Sequence, residues 1–122
     1  MQKPTPAALT AFAAAFPEDI RAVRKQMFGM PAGFVNGQMF MGVFADGIVA
    51  RLPVARVAEL STQEGITNFE PMEGRPWKDY IHASAPRWGE SEALAAWIRE
   101  ALDFTASLPP KEEKPKKKPK GA

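Results

Sequence analysis

Residues 27–52 read MFGMPAGFVNGQMFMGVFADGIVARL, and two dipeptides within them decide the fold. Asn36-Gly37 and Asp46-Gly47 suit two-residue type I′ turns, whose central positions need φ > 0, a conformation that Gly and Asn tolerate. Short runs of Val, Phe, Ile and Met lie beside both turns. The pattern predicts three antiparallel strands, at about residues 30–35, 38–45 and 48–52.

The turns also set an expected register. Asn36-Gly37 pairs Phe34 with Met39; Asp46-Gly47 pairs Ala45 with Ile48, Val43 with Ala50 and Met41 with Leu52. Side chains alternate faces along a strand, so Phe34, Met39, Met41, Val43, Ala45, Ile48, Ala50 and Leu52 share one face, which reads as core. The opposite face holds Val35, Gln38, Phe40, Gly42, Phe44, Val49 and Arg51. A sheet face in water is mostly polar, and Phe40, Phe44 and Val49 depart from that. Either a flanking loop or helix covers them, or they are a candidate interface for a second copy or another protein.

Upstream, Leu9, Phe12, Phe16, Ile20, Val23 and Met27 recur every three or four residues, as on one face of a helix over residues 6–26. Pro17 interrupts it, predicting two short helices or one kinked helix. Pro17-Glu18-Asp19 has the composition of a helix first turn. Downstream, Pro53 opens a helix with Val54, Val57 and Leu60 on its apolar side and Gly65 near its end. Residues 68–72 and 77–83 predict two more strands joined by Glu73-Gly74-Arg75-Pro76. In the second of these, Trp77, Asp79, Ile81 and Ala83 alternate with Lys78, Tyr80 and His82. Residues 85–89 read as loop. Ser91 then caps a helix over Glu92–Ser107, with Leu94, Trp97, Ile98, Ala101, Leu102, Thr105 and Leu108 as its stripe, and Pro109-Pro110 stops it.

The expected class is α+β, with two layers: a five-stranded, mostly antiparallel sheet and flanking helices in the order α-βββ-α-ββ-α. Residues 1–110 form the one expected domain. Residues 111–122, KEEKPKKKPKGA, contain no apolar residue larger than Ala and are expected to be a disordered lysine-rich tail.

At 122 residues and 45% apolar composition, the chain can bury a core. It has no cysteine, which excludes disulfides, thiolate nucleophiles and thiolate metal sites. No apolar run approaches a membrane span of about 20 residues, and the Ala-rich start lacks the pattern of a signal peptide. The expectation is a cytoplasmic protein without membrane contact. Residues 1–108 hold 10 Lys+Arg against 12 Asp+Glu, a net −2, whereas residues 109–122 hold 6 Lys against 2 Glu, a net +4. The basic character thus resides in the tail, and the body does not offer a broad phosphate-binding surface.

Residue types with chemical potential are few. His82 is the only histidine, and Asp79, three residues away on a strand, falls on the opposite face, so it reads as structural or surface histidine. Glu70, Glu73 and Asp79 flank a turn and read as solvated rather than as an acid–base or cation site. Gly29 to Gly33 lacks the ending of a phosphate loop and reads as a bent connection. Arg24 and Lys25 suit a helix end. Met39 and Met41 read as core. Trp77, Tyr80 and Trp88 read as core and rim packing, although aromatics beside basic residues can stack on bases. No cofactor or metal site is expected.

Several segments, in this order, resemble the TfoX N-terminal domain family. They are Arg24-Lys25-Gln26-Met27-Phe28-Gly29, Gly33-Phe34-Val35-Asn36-Gly37-Gln38-Met39-Phe40, Ala45-Asp46-Gly47, Phe69-Glu70-Pro71-Met72, Trp77-Lys78-Asp79-Tyr80-Ile81 and Ser107-Leu108-Pro109. The resemblance covers about residues 9–110. It implies a small α/β domain with a five-stranded antiparallel sheet and flanking helices. The family's namesake is a bacterial regulator of DNA-uptake competence that acts with a cyclic-AMP receptor transcription factor and carries a second domain; 122 residues lead to the expectation that such a domain is not present here. The family supplies no catalytic residues to carry over. The resulting expectation is a non-catalytic protein-interaction or regulatory module that self-associates as a homo-oligomer or docks a protein partner. The alternative is accessory nucleic-acid binding through Lys114, Lys116, Lys117, Lys118 and Lys120, with a small-molecule enzyme ranked below both.

Overall fold

Thr5 turns the chain into its first helix. Its hydroxyl accepts from the Ala8 amide at 3.1 Å, and Pro6 begins the helix, where a missing N–H costs nothing. The computed structural model describes residues 3–27, 29–72, 74–89 and 91–109. Helix α1 (Pro6–Ala15) ends at Phe16, whose extended backbone (φ −61°, ψ 124°) is the conformation a following proline favours. Helix does not resume after Pro17. Asp19 instead accepts from the Arg21 amide at 2.8 Å, a local turn that competes with helix. Val23–Met27 is strand β1. The expectation of helix to residue 26 is therefore overturned: Ile20, on the anticipated apolar stripe, is 98% exposed. Five residues of β1 pair with β2, and such tertiary pairing overrides weak helix propensity.

Strands β2 (Met30–Val35), β3 (Gln38–Phe44) and β4 (Gly47–Arg51) follow, then helix α2 (Val54–Leu60), strands β5 (Ile66–Met72) and β6 (Arg75–Ser84), and helices α3 (Ala85–Trp88) and α4 (Glu92–Ser107). All strand pairs are antiparallel, in the order β1-β2-β3-β4-β6-β5. The class is α+β as expected, with β1 as a sixth strand. Residues 85–88, expected as loop, form one helical turn.

The first hairpin matches expectation. Val35 pairs with Gln38, and Asn36 and Gly37 have φ of 52° and 78°. The second is displaced by one residue. Phe44 pairs with Gly47, so Ala45 and Asp46 make the turn and Ala45 takes φ 55°. Gly47 is needed elsewhere: a Cβ there would lie 2.5 Å from the Ala83 carbonyl oxygen on β6.

A bulge also reverses part of the expected face assignment. Phe34 pairs with Met39 but Gly33 pairs with Met41, leaving Phe40 as an extra residue in β3. Phe40 and Met41, though adjacent, are both fully buried in the core, as is Val35. Phe34 and Met39 move to the other face.

The helices cover one side of the sheet. α1 and α4 pack on β3 and β4, and α2 packs on β5 and β6. Phe12, Phe40, Met41, Ile48, Leu52, Ile81, Leu94, Ile98 and Leu102 fill the space between, each contributing roughly 1.5–3 kcal/mol by burial. The predicted stripe of α4 holds, and the Ser91 hydroxyl caps it by accepting from the Leu94 amide at 3.0 Å. Arg56 joins α2 to α4 through Glu100 at 3.0 Å. Among the described residues no helix is long and apolar enough to cross a membrane.

Candidate functional site

The sheet side away from the helices carries a strip of aromatic rings. Phe44 on β3 lies 5.1 Å from Phe69 on β5, Phe69 lies 5.1 Å from Trp77 on β6, and Trp77 lies 5.0 Å from Tyr80, each pair edge to face. Such pairs add about 0.5–1.5 kcal/mol each beyond area burial. The His82 ring lies 6.1 Å from Phe44 and 6.4 Å from Phe69.

The strip depends on an irregularity in β6. Asn68 pairs with Ile81 and Phe69 with Trp77, so residues 78–80 have no counterpart on β5. This offset brings Trp77 beside Tyr80, against the expected alternation that grouped Trp77 with Ile81.

The three residues expected at an interface separate. Phe40 is 0% exposed, its ring 6.3 Å from Phe16 on the helix side, and it is corrected to core. Val49 is on the open face but only 2% exposed, opposite Gly42 and His82. Phe44 is half-buried there. Trp77, 40% exposed, is joined by the partly exposed Phe34, Met39 and Tyr80. The alternation rule missed these because a bulge in β3 and an offset in β6 each break the two-residue period. Gly33 stands at the first break and Pro71 within the second, so the usual sequence signals are present but do not say which residues the breaks move.

An open hollow of about 350 Å³ is lined by Phe34, Gln38, Met39, Arg51, Trp77 and Tyr80. The Tyr80 hydroxyl donates to the Met39 carbonyl at 3.1 Å, and burial raises its pKa, so it stays a neutral donor. Arg51 donates to Asp79 at 2.8 Å and to the Gln38 side-chain oxygen at 3.0 Å, with its guanidinium 5.8 Å from the Tyr80 ring centroid. A second hollow of about 310 Å³ lies between Phe44, Thr67, Phe69, Glu70 and His82.

The remaining sequence candidates have structural partners. His82 Nε2 lies 2.8 Å from the Phe44 carbonyl oxygen, which can only accept, so this nitrogen carries the proton. Glu70 accepts from the Gly74 amide at 2.5 Å and Asp79 holds Arg51; Glu73 lies outside the described residues. Among the described residues no three His, Cys, Asp or Glu side chains are placed to hold a metal ion. Arg24 and Lys25 lie in β1, not at a helix end: Arg24 stands over the Phe12 ring at 5.2 Å and Lys25 over Phe34 at 5.7 Å. Trp88 belongs to the helix side, 5.0 Å from Trp97, with its indole N–H donating to the Glu64 carbonyl at 2.9 Å. Lys114, Lys116, Lys117, Lys118 and Lys120 lie outside the described residues.

A family model described as the TfoX N-terminal domain matches residues 19–105. The chain belongs to the TfoX N-terminal domain family. The matched segment takes in all six strands and most of α4, so the entire aromatic strip falls within the TfoX N-terminal domain, while α1 precedes it. No curated protein and no solved structure matches the chain.

Proposed function

We propose that this TfoX N-terminal domain is a non-catalytic regulatory module that works by contact, docking a second copy or a regulatory protein through its open sheet face. The observation that carries this reading is the aromatic strip itself. Four rings from three strands line a face that the helices leave uncovered, and Trp77 at its centre is 40% exposed. Exposed aromatic groups of this kind mark interaction surfaces, and single buried aromatics at interfaces are worth roughly 2 kcal/mol or more. The engagement of His82 with Phe44 and of Asp79 with Arg51 supports contact over catalysis, since both groups are committed to holding strands together.

Sedimentation velocity and cross-linking in host extract test the proposal, comparing wild type with Phe44→Glu and Trp77→Glu. The expected result is an assembly or a cross-linked partner for wild type that both variants lose while keeping their far-ultraviolet dichroism. Monomers throughout, with identical cross-linking patterns, would remove the open face from consideration.

A further inference from the structure

Strand β1 closes one border of the sheet and pairs with β2 alone. Among the described residues no backbone group meets its outer side, and Val23, Arg24, Lys25 and Gln26 are all exposed. The register shows which groups point outward. Gln26 stands opposite Pro31, which has no N–H, so this is a pair that exchanges no hydrogen bonds. Arg24, opposite Gly33, is two residues away and by the alternation of an antiparallel ladder belongs to another such pair. The amides and carbonyls of Arg24 and Gln26 therefore face away from β2, spaced as a further strand requires.

The same border is locally cationic, although residues 1–108 carry a net −2. Arg24 lies on the helix side over the Phe12 ring at 5.2 Å, and Lys25 on the open side over Phe34 at 5.7 Å. Among the described residues neither has a carboxylate partner, whereas the neighbouring Arg21 is engaged by Asp19 and Asp103.

We infer that β1 accepts an extended acidic segment of another protein as a seventh strand, with one carboxylate on Arg24 and the next on Lys25. Main-chain hydrogen bonds to Arg24 and Gln26 hold such a segment, and its adjacent side chains, which point to opposite faces, reach the two cations. A second copy of β1 is a poor occupant, because it would set cations against cations. The other border is interrupted by Pro71 on β5, so β1 is the margin able to extend the sheet. The inference goes beyond the contact module, because the border and the open face are different surfaces.

Fluorescence anisotropy with the full chain tests this, using a labelled peptide of Val and Thr around a central Glu-Glu. The controls are the same peptide with Lys-Lys at its centre, and the Glu-Glu peptide with its backbone nitrogens methylated. The Glu-Glu peptide should bind and neither control should. Arg24→Glu and Lys25→Glu should each weaken binding about tenfold, by exchanging an attraction for a repulsion. Hydrogen exchange followed by NMR should slow at the Arg24 and Gln26 amides when the peptide is added. Far-ultraviolet dichroism checks each variant, and if Arg24→Glu fails to fold, Lys25→Glu and the exchange measurement carry the comparison. Absence of binding at low salt overturns the inference. So does binding kept by the methylated peptide, or binding that leaves those amides unprotected. A duplex oligonucleotide that binds in place of the peptide, with the same dependence on Lys25, would make the border a phosphate site and overturn it too. Phe44→Glu and Trp77→Glu should leave peptide binding intact, so their effect on assembly reports on the open face alone. Loss of peptide binding in those two variants would move the peptide onto that face and overturn the border site.

Discussion

His82 on β6 donates from Nε2 to the Phe44 carbonyl on β3 at 2.8 Å, reaching across the intervening strand β4. It passes over Gly47, where a Cβ would stand 2.5 Å from the His82 Cε1 atom and 2.5 Å from the Ala83 carbonyl oxygen. Replacing His82 by Ala should cost about 1–2 kcal/mol for the lost hydrogen bond and ring contacts. Gly47→Ala should cost more, roughly 2–3 kcal/mol, because it displaces backbone as well as the ring. The double variant should keep most of the Gly47 cost, since the Ala83 carbonyl cannot rotate away. Urea unfolding of the four chains in a double-mutant cycle checks this; complete relief in the double variant would show that the histidine alone sets the constraint.

Phe40 and Phe44, four residues apart in one strand, should respond differently to truncation. Phe40 is 0% exposed in the core, so Phe40→Ala should lose about 3–5 kcal/mol. Phe44 is half-buried on the open face, and Phe44→Ala should lose less than about 2 kcal/mol. Thermal denaturation of both variants decides it. Equal losses would contradict the bulge that turns Phe40 toward the helices.

Ala45 holds φ 55°, a conformation that costs a residue with a Cβ about 1–2 kcal/mol. Ala45→Gly should therefore stabilise the domain by roughly 0.5–1 kcal/mol after the added flexibility of the unfolded chain is subtracted. A rise in melting temperature of about 2–4 °C is the expected reading. No rise, or a fall, would mean that the turn does not strain Ala45.

The Asp19 carboxyl is held at about 2, below its ordinary 3.8, first by the side-chain hydrogen bonds from Arg21 and then by the Arg21 backbone amide. Arg21 also reaches Asp103 on α4 at 3.0 Å. A lowered carboxylate pKa means that folding favours the ionised form. The stabilisation is complete above pH 3.8 and is lost as the pH falls toward about 2. Asp19→Asn should thus be less stable than wild type at neutral pH, with the gap closing across that acid interval. Added salt should narrow it at any pH, because both side chains are partly exposed. Melting curves across pH test the sign; a gap independent of pH would assign the effect to packing.

Local chemistry made much of this molecule readable in advance. Asn36-Gly37 specified its own turn, Pro53 opened α2, and Ser91 and the stripe from Leu94 to Thr105 specified α4. What escaped was set by contacts between distant residues. The segment of Val23 to Met27 carries helical spacing, yet β2 claims it as a strand. Asp46-Gly47 looks like a turn pair, but β6 claims Gly47 for its close approach, pushing the turn back to Ala45. Phe40 cannot be assigned a face by alternation, because whether a strand bulges depends on the partner's register. An apolar second face is expected from the sequence at Phe40, Phe44 and Val49; of these only Phe44 is partly exposed there, and the strip's Trp77 and Tyr80 read as core and rim packing.

The borders of the sheet limit how copies of this chain can meet. β1 places Arg24 and Lys25 in the middle of one border, and β5 at the other contains Pro71, which has no N–H to offer a neighbouring ribbon. Charged and proline-bearing margins resist the strand-to-strand splicing from which fibrils grow. Under the proposed docking role, contact between copies would fall to the open face rather than the borders, and a two-fold pairing of that face would be closed and finite.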